Sequence, residues 1–149
     1  MAAWVSPTGK ENDSWFEAEK IYDGNLLTSG QESTSGQSVT LTISSISCDK
    51  IRINAGLVAG GATNLKIEVY YSAAFHQIHS GVLTEDTWQE IAIGSTEYVT
   101  KVRLATNTGI NSEVWELELW DMGVTPPPTP MASGKGAWKA KRNIIIGSL

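Results

Sequence analysis

From Ser38 onward, apolar and polar residues alternate in short runs, the period of a strand with one buried face and one wet face. "SVTLTI" places Val39, Leu41 and Ile43 on one side, and "KIRINA" places Ile51 and Ile53 inward with Arg52 outward. "NLKIEVYY" sets Leu65, Ile67, Val69 and Tyr71 against Lys66 and Glu68. "WQEIAIG" adds Ile91 and Ile93, and "KVRLAT" adds Val102 and Leu104. "VWELELW" closes the set, with Trp115, Leu117 and Leu119 inward and Glu116 and Glu118 outward. Between the runs lie "GLVAGGATN", "TNTGINSE" and similar clusters, which are turn chemistry. The pattern predicts an all-β fold, an antiparallel β-sandwich or jelly roll. Ahead of it, "NDSWFEAEKIYDGN" predicts one or two helical turns, capped by Asp13 or Ser14 and stopped by Gly24. Phe16, Ile21 and Tyr22 would face inward.

The alternation ends near Gly123, and the chain changes character there. The 149 residues divide into an N-terminal extension (1–9), a jelly-roll domain (10–123), a Pro-rich linker (124–134) and a basic, apolar arm (135–149). "TPPPTP" favours extended polyproline, a spacer of roughly 3 Å per residue. The arm, "KGAWKAKRNIIIGSL", is sticky again. Charge follows the same division. Of a formal net charge of −5, all 16 acidic residues lie at or before Asp121, whereas the segment beyond it carries Lys135, Lys139, Lys141 and Arg142 and no acid. An acidic body repels phosphate, so nucleic acid is not the expected partner.

One cysteine, Cys48, excludes an internal disulfide and fits synthesis in a reducing compartment. The opening "MAAWVSPTGKENDSW" lacks the basic and long apolar regions of a secretory leader, so export by that route is not expected. No apolar run approaches the roughly 18 residues needed to cross a bilayer, and membrane insertion is not expected either.

"EAEKIYDGNLLT" (17–28), taken with "VWELELW" (114–120), resembles the galactose-binding-like jelly rolls: discoidin or coagulation-factor type C domains and the related carbohydrate-binding modules. Such domains typically open on an Ala-rich turn leading to Asp-Gly-Asn or Asp-Gly-Asp, a few residues and then Thr, and close on a Glu-apolar-Glu-apolar strand beside the opening loop. "TWQEIAI" and "TKVRLAT" resemble their later core strands, so the likeness spans roughly positions 10–122. It implies a structural calcium shared by the opening loop and closing strand, with oxygens from Asp23, Asn25, Thr28, Glu116 and backbone carbonyls. Closely spaced hard oxygens suit Ca²⁺. Asp-Gly-Asn is also a turn in its own right, and Glu116 could simply face water. The sequence departs from the family in having "TSGQES" where a tryptophan commonly follows the Thr, and in lacking the animal-type disulfide.

Sugar binding on such a fold needs an aromatic ring for stacking and a few fixed polar groups at one rim. The candidates are Arg52, Phe75, His76, His79, Asn107 and Asn111, although none forms a motif and all could fill loops or core. Trp15, Trp88, Trp115 and Trp120 read as core or edge packing. His76 and His79 are spaced i, i+3, which on a strand points the rings apart, so they are not expected to share a metal. No nucleophile elbow, zinc-protease or phosphate-loop motif is present, and the expected function is non-enzymatic.

The arm exposes Trp138, Ile144, Ile145, Ile146 and Leu149 beside Lys139, Lys141 and Arg142. Burying these apolar groups at about 25 cal/mol per Å² would contribute several kcal/mol. "RNIIIGSL" could add a strand to another chain's sheet edge, with Trp4 as a second anchor. These features suggest docking onto other copies of the chain or onto a capsid or tail protein. The leading expectation is therefore a structural or accessory component of a bacteriophage virion, a capsid decoration or tail-associated protein. The alternative is a free-standing lectin-like carbohydrate-binding module, extracellular or at a cell surface.

Overall fold

The computed structural model describes residues 1–11, 14–32, 36–107, 111–125 and 127. Within them the chain forms β1 (Ala3–Val5), β2 (Gly9–Glu11), β3 (Trp15–Phe16), a 3-10 turn (Ala18–Tyr22) and β4 (Gly30–Glu32). The long strands follow: β5 (Ser38–Leu57), β6 (Thr63–Tyr71), β7 (Ala74–Leu83), β8 (Gln89–Thr106) and β9 (Ser112–Asp121). All named strand pairs are antiparallel, in the order β3-β4-β9-β5-β8-β6-β7, with β1 on β9 and β2 on β5.

The sheet folds over on itself because β5 and β8 each serve two layers. Their mutual register breaks between Thr42 and Ile46 and again between Cys48 and Lys50. Such irregularities bend a strand and increase its twist. One layer holds β2, the first part of β5, the last part of β8, β6 and β7. The other holds β1, β4, β9 and the remaining parts of β5 and β8. Val39, Leu41, Leu65, Ile67, Val69, Val102 and Leu104 are buried from the first layer, and Ile51, Ile53, Leu117 and Leu119 from the second. Each of these inward rows is the one anticipated from alternation. Cys48 is buried in the same core.

Four expectations need correction. The helical turns shrink to one 3-10 turn, entered through Glu17 at φ 50° with no side-chain cap; Asp13 lies outside the described residues. Trp15 and Phe16 form a strand instead, and adjacent strand residues point to opposite faces. Trp15 is therefore buried, its indole N–H on the Gln37 carbonyl at 3.3 Å, while Phe16 is exposed. Ile21 is buried as anticipated, and Gly24 takes the left-handed φ of 75° that ends the turn.

Residues 3–5, assigned to an extension, are hydrogen-bonded into the sheet, with Trp4 opposite Trp120. Glu68, assigned to the wet face, is nearly buried under Arg103, whose Nε lies 2.6 Å from Oε2. Finally, β9 slips register against β5 between the Asn54–Glu116 and Ala55–Val114 pairs, leaving Trp115 as the extra residue. Ser112 and Val114 are buried before the bulge and Leu117 and Leu119 after it, while Trp115 is half-exposed and Glu116 only 2% exposed.

Candidate functional site

The 3-10 turn delivers Asp-Gly-Asn onto β9. Asp23 Oδ1 accepts from the Asn25 N–H at 2.9 Å, and its Oδ2 accepts from Thr28 Oγ1 at 2.7 Å. Asn25 Oδ1 accepts from the Leu27 N–H at 3.0 Å, and the Asn25 carbonyl accepts from Thr28 Oγ1 at 3.0 Å. The loop reaches the sheet through the Gly24 N–H, which donates to Glu116 Oε2 at 3.0 Å. These bonds join Asp23, Asn25 and Thr28 to one another and lay their loop against Glu116.

Glu116 is not the water-facing acid its alternation suggested. Burial pushes its carboxyl up to about 7. The Gly24 hydrogen bond opposes the rise, the charges of Asp23 and Glu118 add to it, and the Asn25 backbone opposes it. Its Oε1 is buried with no hydrogen-bond partner. Asn54, directly opposite in register and 3% exposed, has a similarly orphaned Oδ1. Buried oxygens without donors are costly. A hard cation would answer that deficit, and the surrounding donors are all oxygen. Among the described residues no group of three His, Cys, Asp or Glu is placed to hold a metal ion, so any cation here would also draw on amide, hydroxyl and backbone oxygens.

The six anticipated glycan residues do not converge. Arg52 lies on the outer face of the second layer, ion-paired with Glu118, its guanidinium carbon 4.5 Å from the Trp4 ring centre and 4.4 Å from that of Trp88. Trp4 meets Trp120 edge-on at 5.1 Å, with Lys50 Nζ 5.4 Å from both rings, so it packs on its own sheet and not as a free anchor. Phe75 belongs to the other layer, edge-on to Tyr70 at 5.0 Å and 3.9 Å from the Arg103 guanidinium carbon.

His76 stacks on Tyr71 at 3.9 Å, and His79 Nε2 lies 3.1 Å from the Gly81 carbonyl. A register shift in β7 places these histidines opposite Val69 and Ile67, on one face and not two as the spacing suggested. Asn107 donates to Asn64 Oδ1 at 2.8 Å and to Ser80 Oγ at 3.1 Å. Asn111 is exposed, its carbonyl accepting from the Val58 N–H at 3.1 Å. Surface depressions of about 210 Å³ and 320 Å³ contain none of these residues. Trp138, Lys139, Lys141, Arg142, Ile144, Ile145, Ile146 and Leu149 lie outside the described residues.

Alternation hid one cluster. A Cβ built on Gly56 would stand 2.9 Å from Cη2 of Trp115 and 3.2 Å from Cγ of Glu85, so the indole edge and that side chain meet over bare backbone. Glu113 pairs in register with both Gly56 and Gln31. Its Oε2 accepts from Ser29 Oγ at 3.3 Å and Gln31 Nε2 at 3.4 Å. Burial raises the Glu113 carboxyl, the Ser29 bond opposes this, and Glu85 raises it further. Only the glycine facing the closing strand hinted at this seat.

No family model and no curated protein matches the chain. Solved structures do. A family 32 carbohydrate-binding module of AlyQ, in complex with 4,5-unsaturated mannuronic acid, superposes with a TM-score of 0.63 at 14% identity, over 78% of this chain and 97% of that one. The family 32 module of Clostridium perfringens NanJ, in complex with galactose, gives 0.59 at 18% identity, over 81% and 93%. A module from a family 31 glycoside hydrolase of the same organism gives 0.61 at 12% identity, over 81% and 93%. The fold is therefore the galactose-binding-like β-sandwich of family 32 carbohydrate-binding modules.

Proposed function

We propose that this chain is a non-catalytic carbohydrate-binding module that works on extracellular or cell-surface glycans. One observation carries the reading: the described fold spans nearly the whole length of modules that were themselves solved with sugars. Those neighbours are carbohydrate-binding modules, which favours this reading over the virion component suggested by residues 135–149.

Within it, Asp23, Asn25, Thr28 and Glu116 hold a calcium ion, which the orphaned Glu116 oxygen supports. The ion, when bound, supplies positive charge that keeps Glu116 ionised. The residues themselves pin the 3-10 turn to β9 and so fix the loop end of the sandwich. The purified chain on a glycan array tests the function. Selective retention of a sugar class is expected, and silence across the array would refute the reading.

A further inference from the structure

Among the described tryptophans, four are already engaged. Trp4 and Trp120 pair with each other, Trp88 lies against Arg52, and Trp15 is buried with its N–H bonded. Trp115 is half-exposed and has neither a ring, a cation nor an N–H partner among the described residues. The bulge turns it out of the core row, and Gly56 lets its edge rest on backbone. Around it stand Glu113 and Glu85, with Ser29 and Gln31 holding the first of these carboxylates. A flat indole beside fixed acceptors is the pairing that recognises a sugar, whose C–H face stacks while its hydroxyls donate.

We infer that Trp115, Glu113 and Glu85 form the sugar-binding surface of this module and that its ligand is a neutral, hydroxyl-rich saccharide. The inference rests on the carbohydrate-binding reading above. Hydroxyl groups can donate to both carboxylates, whereas a uronic or sialic acid would bring a third negative charge to a pair that already repels. Burial is the main cause of the raised Glu113 carboxyl, and the Glu85 charge adds to it. Asn111, anticipated for sugar binding, lies two residues from Glu113.

The test is calorimetric titration and array binding of the full chain with neutral di- and oligosaccharides beside digalacturonate and sialyllactose. Neutral sugars should bind, with the acidic ones at least tenfold weaker. Trp115→Ala should lower affinity on the order of tenfold, as lost aromatic stacking does. Glu113→Gln should weaken neutral sugars severalfold and narrow the discrimination against acidic ones. Should Trp115→Ala fail to fold by circular dichroism, Gly56→Ala displaces the ring from its seat and serves in its place. Sugar binding that survives both Trp115→Ala and Gly56→Ala, falls with Phe75→Ala instead, or favours the acidic sugars would overturn the inference and leave the module reading standing. Failure to bind any sugar would overturn both.

Discussion

Replacing Glu116 by Gln isolates a buried carboxyl with an unpartnered oxygen. Its carboxyl is 2% exposed and lifted from its usual 4.5 to about 7. Between those values the folded protein holds a proton that the unfolded chain has released, so stability falls as pH rises through that window. The difference amounts to about 3 kcal/mol once Glu116 is ionised, at roughly 1.4 kcal/mol per factor of ten in proton affinity. Glutamine keeps the shape and the acceptor for Gly24 but cannot ionise.

In chelator at about pH 8, the variant should therefore melt about 6–12 °C above the parent, taking about 2–4 °C per kcal/mol for a chain of this size. At about pH 5 the two should nearly coincide, because the parent carboxyl is then protonated in the fold. Calcium should reverse the order at the higher pH, since it stabilises the form that binds it, and that form needs the carboxylate. Differential scanning fluorimetry with calcium and with chelator reads all four conditions. Equal melting temperatures in chelator at the higher pH, or a gap unchanged at the lower one, would show that Glu116 is not shielded as described. A calcium increment as large in the variant as in the parent would remove Glu116 from the proposed ion site.

Two further changes probe the frame around the site. Gly30→Ala would place a Cβ 2.5 Å from Ile21 Cγ1 and 3.1 Å from the Ala18 backbone, both residues fully buried, and should cost about 1–3 kcal/mol in urea unfolding. The hydrogen bond from Arg103 holds the Glu68 carboxyl below its usual range against the opposing effect of burial. That contribution is present above the ordinary carboxylate range and is lost as pH falls through the folded value. Glu68→Gln should thus destabilise the protein near neutral pH and leave the gap to the parent closing in acid; a gap independent of pH would refute the pairing.

The inward rows of β5, β6 and β8 could be read directly from the chain, because alternation with a period of two has one physical cause, a buried face opposite a wet one. The Asp-Gly-Asn turn was legible because glycine enters a left-handed φ without strain, and Gly24 takes φ 75° here. What escaped was whatever depends on a distant segment. Glu116 looks like a solvent-facing acid until the Gly24 loop, 92 positions away in sequence, is laid over it. Trp115 looks like a core residue until one slipped register in β9 turns it onto Gly56. Trp4 looks like a loose anchor until β1 finds the edge of β9.

Local composition thus determined that this chain would be a β-sandwich with a polar loop at its opening turn. Only the tertiary structure decided which charges would be stripped of water and which aromatic ring would be turned out of the core row. Burial and register are set by the packing of strands far apart in the chain, and no short stretch of residues contains that information.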